Sequence, residues 1–228
     1  MTTPCPHPSP RLGACLLALV AGTLIWSGIG PTERFTWALE IVPVVIGMPL
    51  LALTHKRFCL TRTSMLAIAT YAVVLLIGGH YTYAAAPPGE WARATFALER
   101  NPYDRFGHIL QGLLPALLAR ELLLRRAGIA PGGWLAFVAT AIGLGVSALY
   151  EILEWPATLA ASHLTGETAE GFLETQGDVF DSPKDMLMAL IGAGLGQVLF
   201  ARIQDRELAA GAAAKRKTEA PPNEKRAA

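Results

Sequence analysis

Six apolar stretches of membrane-spanning length run along this chain of 228 residues and restrict its fold more than any other feature. A helix needs about 20 apolar residues to cross the hydrocarbon core of a bilayer. Backbone polar groups must also be satisfied there, and an α-helix satisfies them within one segment. We therefore predict an all-α, polytopic membrane protein with six transmembrane helices, near residues 12–29, 35–53, 64–82, 104–124, 133–155 and 183–203.

The composition supports a membrane protein and excludes a nucleic-acid-binding one. The chain is 52% hydrophobic and only 16% charged, whereas soluble domains average about 25% charged residues. Its formal net charge is +1, without the basic surface that nucleic-acid binding requires. We therefore expect the lipid bilayer as a partner and no nucleic acid.

Lysine and arginine residues set the predicted orientation, because they are enriched in cytoplasmic segments. With the N-terminus inside, 19 such residues divide unevenly, and the few on the outer side are Arg34, Arg93, Arg100, Arg105 and Lys184. Both termini are then cytoplasmic. The predicted organisation is a disordered, proline-rich tail at 1–11, a six-helix membrane domain at 12–207 and a disordered basic cytoplasmic tail at 208–228.

Acidic and histidine residues gather at one end of three predicted helices. Ionisable groups are costly in or near hydrocarbon, so their default interpretation is a functional site. In the predicted topology they all fall in one layer at the outer face of the membrane. They are Asp104 and His108 in the fourth stretch, Glu151 and Glu154 in the fifth, and Asp178, Asp181 and Asp185 leading into the sixth.

The spacing of these residues predicts a metal site. Asp104 and His108 are four residues apart and Glu151 and Glu154 three apart, so each pair shares a helix face. Helical bundles present metal ligands in this way. Oxygen and nitrogen donors suit a divalent ion such as Zn²⁺, Mn²⁺, Fe²⁺ or Mg²⁺, so its identity stays open. The predicted metal ligands are His108, Asp104, Glu151, Asp181 and Asp185.

Structural interpretations compete for four of the aspartates. Asp104 follows an Asn-Pro pair and Asp185 a Ser-Pro pair, and an acid at that position of a helix start caps the helix and favours its positive end. Asp178 and Asp181 have the further interpretation of solvated loop acids. A structural role therefore remains open for all four.

Capping does not explain the other three residues. An acid pair near a helix C-terminus, such as Glu151 and Glu154, is disfavoured by the helix dipole. His108 lies a full turn inside its helix, where no capping role exists. These three residues therefore form the centre of the predicted site.

Four further features carry smaller predictions. Gly192 and Gly196 lie one turn apart, which favours close packing between helices of the same chain. Glu121, next to Arg120 at the inner end of the fourth stretch, is predicted to make an ordinary interfacial pair. His80, at the outer end of the third stretch, is within predicted reach of the site. Prolines inside the spans predict kinks, at Pro43, Pro49 and Pro115.

Four motifs occur in a fixed order along the chain. They are His80–Tyr83 followed by Pro87, then Asn101–His108, Tyr150–Trp155 and Gln176–Met186. In this order they resemble the YjdF-like bacterial inner-membrane proteins, over residues 12–203. The resemblance implies a multi-pass protein of the bacterial inner membrane and implies no reaction.

A looser resemblance extends to VanZ-like proteins, which are linked to glycopeptide-antibiotic resistance. Those proteins show an Asp-basic-x-x-His motif, an acid-centred motif and an Asp before a Gly-x-x-x-Gly helix. Asp104–His108, Glu151–Glu154 and Asp185–Gly196 follow that order. VanZ-like proteins tend to have Glu-x-x-Gln at the second motif, whereas Glu154 adds a potential ligand here.

Three hypotheses for function follow. The first is a metal-dependent hydrolase or transferase acting on a lipid or cell-envelope substrate. In it, Glu154 is the general base, and Arg105 or Lys184 holds an anionic headgroup. The second is an ion-coupled transporter that uses the same carboxylates, and the third is a non-catalytic assembly or sensor protein that binds a cation. Whether the protein is an enzyme stays open at this point.

Overall fold

The computed structural model describes residues 10–165, 176 and 178–219. These residues contain helices and no strand, which confirms the predicted all-α class. A 3₁₀ turn at Tyr83–Ala85 and a π-helical turn at Leu123–Ala127 complete the described elements. The α-helices are α1 Pro10–Ser27, α2 Arg34–Glu40, α3 Val42–Thr54, α4 Arg62–Tyr81, α5 Pro87–Phe96, α6 Tyr103–Leu122, α7 Gly133–Thr165 and α8 Asp181–Glu219.

Four helical segments of the described residues are long and apolar enough to cross a membrane. They are Arg34–Thr54, which joins α2 and α3, Arg62–Tyr81, Gly133–Ala157 and Asp181–Ala214. The first predicted span forms a shorter apolar helix over Arg11–Ser27. The fourth forms α6, a helix of 20 residues with charged residues near both ends. The structure therefore supports a protein with several membrane spans, and the count of six remains a prediction.

The second predicted span is broken at Ile41, between α2 and α3. Pro43 is in the first turn of α3 and has no backbone N–H to continue the hydrogen-bond ladder of α2. The break leaves Glu40 as the last residue of α2, where it is 3% exposed. A Cβ atom at Gly79 of α4 would lie 3.0 Å from Cβ of Glu40. The predicted Pro43 kink is thus found, whereas Pro49 and Pro115 lie inside continuous helices.

Helix α6 packs against α4, α7 and α8, and its contacts with α7 and α8 are backbone to backbone. A Cβ atom at Gly112 would lie 1.8 Å from the Ala189 carbonyl oxygen, and one at Gly192 would lie 1.9 Å from that of Ile109. A Cβ atom at Gly143 of α7 would lie 2.7 Å from the Gly112 oxygen. Gly192 therefore serves close packing within the chain, as its spacing predicts.

A second polar cluster lies at the other end of α6, around Glu121. This side chain is fully buried and accepts hydrogen bonds from Thr61 Oγ1 at 2.8 Å and Ser64 Oγ at 2.6 Å. It also pairs with Arg125, whereas Arg120 pairs with Asp205 of α8. The prediction of an ordinary interfacial pair is therefore wrong for Glu121, because this carboxylate joins the start of α4 to the end of α6.

Helix α8 continues to Glu219, so residues 208–219 are helical where the sequence predicts a disordered tail. Helix α1 begins at Pro10, inside the predicted N-terminal tail. The remaining parts of both predicted tails, residues 1–9 and 220–228, lie outside the described residues.

Candidate metal centre at one end of the helix bundle

A small polar cavity of about 30 Å³ lies where α4 ends and α6 and α8 begin. A volume of this size holds an ion or one to two water molecules. Six of the predicted site residues, from three helices, line it together. The lining residues are Glu40, Tyr71, Leu75, Tyr83, Asp104, Gly107, His108, Gln111, Tyr150, Glu151, Glu154, Asp181, Ser182 and Asp185.

His108 is oriented by a neighbour on its own helix. Its Nδ1 lies 2.8 Å from Oε1 of Gln111, and an amide oxygen can only accept a hydrogen bond. Nδ1 therefore carries a proton, and Nε2 is the ring nitrogen that faces the cavity. Nε2 faces Asp104 Oδ1 at 3.4 Å and Asp185 Oδ1 at 4.0 Å. Two carboxylates around one ring nitrogen require either a proton on Nε2 or a cation between the three groups.

These three ligand atoms have the separation that a metal ion requires. Among the described residues, ligand atoms of Asp104, His108 and Asp185 lie within 4.8 Å of one another, and all three residues are buried. Zinc binds nitrogen and oxygen at about 2.0–2.2 Å, which places neighbouring ligands of a tetrahedral site roughly 3.3 Å apart. The observed 3.4 Å and 4.0 Å are close to that spacing.

Glu151 contributes a carboxylate oxygen that has no partner among the described residues. Its side chain is 9% exposed, and Oε1 lies 3.7 Å from Nδ1 of His108 without a hydrogen bond. A buried polar atom left unpaired costs about 1–3 kcal/mol, and more if it is charged. The orphaned oxygen therefore indicates room for a further polar ligand on the Glu151 side of the cavity.

Arginines and a lysine flank the cavity and are paired with its aspartates. Arg105 donates to Asp185 at 2.9 Å and to Asp178 at 3.2 Å, and it also pairs with Asp181. Lys184 pairs with Asp178. Its hydrogen bond, followed by one from the Phe180 N–H, lowers the pKa of the Asp178 carboxyl. The structure thus places Arg105 and Lys184 beside the cavity, engaged with aspartates, and their predicted contact with a headgroup stays a prediction.

Arg100 also joins this network, and the sequence interpretation gave it no role. It pairs with Asp181 and lies 3.5 Å from Oδ2 of Asp104. Arg100 and Arg105 therefore fix the start of α8 against the start of α6. The pairs hold two of the cavity-facing carboxylates, on Asp104 and Asp185, in position from outside the cavity.

Glu40 is the main residue that the sequence interpretation missed. Its Oε2 accepts hydrogen bonds from the Tyr83 hydroxyl at 3.0 Å and the Tyr150 hydroxyl at 3.5 Å. Burial, together with the charge of Glu40, raises the pKa of Tyr83, so this hydroxyl keeps its proton and donates it in the hydrogen bond. Glu40 is the one acidic residue inside the predicted span 35–53, and an acid in that position was an available signal.

His80 does not take part in the cavity, contrary to the prediction that it reaches the site. Its ring stacks on Trp26 at 4.5 Å, and its Nδ1 lies 3.0 Å from the Ser27 carbonyl oxygen. His80 therefore fastens α4 to the end of α1.

Fold and site together define a class: a helical integral membrane protein with a buried acidic and histidine centre at one end of its bundle. Residues 12–206 match the model of a family described as "Predicted membrane protein (DUF2238)", and the chain belongs to this family. The chain is also 42% identical over 185 residues to "Inner membrane protein YjdF" of Escherichia coli (strain K12), covering 81% of this chain and 87% of that protein. No solved structure matches.

These comparisons confirm the predicted resemblance and the inner-membrane location. They give no reaction, metal or substrate. The looser resemblance to VanZ-like proteins stays a prediction.

Proposed function

We propose that this protein is a divalent-metal-dependent hydrolase or transferase that acts on a lipid or cell-envelope substrate at the periplasmic face of the inner membrane. The observation that carries the proposal is the position of His108 Nε2, which faces the carboxylates of Asp104 and Asp185 inside the cavity. Gln111 fixes this orientation from the other ring nitrogen, as outer partners of metal-binding histidines do.

The remaining residues of the cavity have roles that follow from their positions. A bound divalent ion would lower the pKa of a water molecule and polarise an acyl or phosphoryl oxygen. The Glu151 oxygen that has no hydrogen-bond partner would accept a hydrogen bond from that water. Glu154, one turn further along α7 and also lining the cavity, would take up its proton as general base. Asp181, held by Arg100 and Arg105, closes the cavity on the side of α8.

The periplasmic assignment rests on a proposed topology of six spans with both termini in the cytoplasm. Helices α1 and α6 add two spans to the four segments of membrane-spanning length. Between Arg105 and Arg120, α6 carries no acidic or basic residue except His108, and its charged residues lie near its two ends. Helix α6 also packs against three of those segments, as a central span would.

An ion-coupled transporter would need a polar path from this cavity to the opposite end of the bundle. The backbone contacts at Gly112, Gly143 and Gly192 lie between the cavity and the Glu121 cluster. Contacts this close leave no space for water or an ion along the α6–α8 seam. The arrangement therefore favours a one-sided site over a transport path.

A non-catalytic cation-binding role, in assembly or sensing, is the second candidate. The size of the cavity favours it, since about 30 Å³ admits an ion and not a lipid headgroup. Catalysis would require the cavity to open toward the substrate. The two candidates share the metal site and differ in turnover.

Metal analysis of the purified protein tests the metal site that both candidate functions share. After equilibration with Zn²⁺, Mn²⁺ or Mg²⁺ and removal of free ion, we expect about one bound ion per chain in the wild type. His108→Ala and Asp185→Asn should lose it. His55→Ala, at an exposed histidine distant in sequence from the cavity residues, is the matched control and should retain it. A metal-free wild type, or an unchanged His108→Ala, would refute the proposed site.

Turnover separates the two candidates. Inner-membrane lipid extract is incubated with the metal-loaded protein, and release of headgroup, phosphate or fatty acid is measured with and without a chelator. The enzyme hypothesis predicts chelator-sensitive release that Glu154→Gln abolishes while the bound metal is retained. Bound metal without turnover in any lipid or envelope fraction would instead support the non-catalytic role.

A further inference from the structure

Helix α5, Pro87–Phe96, extends from the same end of the bundle as the cavity, and among the described residues it is attached to the bundle only near its first turn. Gly89 is buried there, and a Cβ atom at this position would lie 1.7 Å from Oδ1 of Asn101. The Asn101 amide donates to the Ala86 carbonyl and to Oε1 of Glu90, both at 3.1 Å. This contact fixes where α5 leaves the bundle.

The rest of α5 has no protein surface against it within the described residues. Every residue from Arg93 to Glu99 is exposed. Trp91 is 67% exposed, Phe96 66% and Leu98 42%, and the two rings meet edge to face at 6.4 Å. Arg93 pairs with Glu90 of the same helix.

A helix of this kind is not stable in water on its own. Isolated helices shorter than about 12–15 residues are marginal in water, and α5 has 10 residues. Exposure of a tryptophan, a phenylalanine and a leucine to water adds a further cost. Some apolar surroundings must therefore cover the exposed part of α5.

Its position along the chain indicates what those surroundings are. Helix α5 follows α4, a segment of membrane-spanning length, after one 3₁₀ turn, so it lies where a span leaves the hydrocarbon. Tryptophan is enriched at that depth, because its ring is apolar and its N–H is polar. Short helices with aromatic residues on one side and charged residues on the other lie in this interface.

We propose that α5 lies in the lipid–water interface of the outer leaflet, with Trp91, Phe96 and Leu98 inserted among the upper acyl chains. Arg93 and Glu90 face the headgroups and water. Through Asn101, whose Oδ1 accepts the backbone N–H of Tyr103 at 3.0 Å, the embedded helix is tied to the start of α6. The bilayer surface thereby sets the depth of the segment that contains Asp104. This placement of α5 requires neither metal binding nor catalysis, and its assignment to the outer leaflet rests on the proposed topology.

Fluorescence quenching by brominated lipids tests this placement in the full chain. Trp26, Trp37, Trp134 and Trp155 are replaced by phenylalanine, and the protein is reconstituted into bilayers with bromine either near the top or near the end of the acyl chain. We expect bromine near the top to quench Trp91 more strongly. A second single-tryptophan protein that retains Trp37, which is half-buried and donates to Ser27 Oγ at 3.1 Å, is the reference and should be quenched less.

Two results would overturn the proposal. In the first, brominated lipids leave Trp91 unquenched while water-soluble acrylamide quenches it, so the residue faces water. In the second, Trp91→Ser converts a dimer into a monomer, so a second copy of the chain covers this surface. If the single-tryptophan protein does not fold, a nitroxide label at Phe96→Cys gives the same answer. The label should then be more accessible to oxygen than to a water-soluble nickel chelate.

Discussion

Gly192→Ala should loosen the contact between α6 and α8 and, through it, the candidate metal site. The added Cβ atom would lie 1.9 Å from the Ile109 oxygen, and ordinary van der Waals contact begins at 3.4 Å. The two backbones would therefore have to move apart by about 1.5 Å, since neither atom belongs to a flexible side chain. Overpacking of this kind costs about 1–3 kcal/mol.

The displacement would also reach the metal ligands. Asp185 lies two turns before Gly192 on the same face of α8, and it faces His108 of α6 across the interface. A wider interface lengthens the 4.0 Å separation between Asp185 Oδ1 and His108 Nε2 beyond what one ion can bridge. Stability and metal affinity should therefore fall together.

Gly194→Ala is the matched control, because it lies on the same helix with nothing within 4 Å of the added Cβ. Alanine is about 0.8–1.0 kcal/mol better than glycine in a helix interior, so this variant should be equal to or more stable than the wild type. Thermal unfolding in detergent, followed by tryptophan fluorescence, and metal titration measure both effects. A Gly192→Ala protein as stable as the wild type, or a Gly194→Ala protein equally destabilised, would refute the reasoning.

Three further predictions address other contacts of the same structure. Gln111→Ala should weaken metal binding by about 10–100-fold without loss of fold, because the His108 ring loses its orienting partner. An unchanged metal affinity, measured by titration, would argue against an orienting role for Gln111. Glu121→Ala should destabilise the protein by roughly 3–5 kcal/mol, measured by thermal unfolding, because it leaves Arg125 without its buried partner, and metal affinity should not change. Asp178→Asn should increase protease cleavage before α8 at neutral pH but not well below pH 3.8, the ordinary pKa of an aspartate. Because the folded-state pKa of Asp178 is lowered, its carboxylate stabilises the fold above pH 3.8, and this stability is lost as the pH falls through the folded-state pKa. Equal cleavage of the wild type and Asp178→Asn at pH 7 would contradict this prediction.

The sequence predicted the helical class and the gathering of the site residues because both follow from local patterns. Apolar stretches of this length indicate membrane-spanning helices, and two residues four apart, such as Asp104 and His108, lie on the same face of a helix. Partners across helices were not predictable in this way. Arg105 pairs with three aspartates, and these pairs were not predicted because the sequence alone does not show which opposite charges a bundle brings together.

The position of Glu40 was also not predictable from local sequence patterns. Its place in the cavity depends on the break at Ile41 and on the close approach to Gly79, and both belong to the folded chain. The helix continues past the boundary predicted at residue 207 for a different reason. An apolar pattern marks the membrane-spanning part of a helix, but the alanine-rich segment that follows has high helix propensity and continues the helix to Glu219.

Helix α8 has one consequence that concerns mechanics. At 1.5 Å per residue its 39 residues extend for about 58 Å, nearly twice the thickness of the hydrocarbon core. In the proposed topology, this single rod carries Asp185 at its periplasmic end and projects into the cytoplasm at the other. An uninterrupted helix transmits rotation and translation along its axis without a joint. In that topology, a shift of Asp185 along the axis of α8 would also move the end of the helix at Glu219.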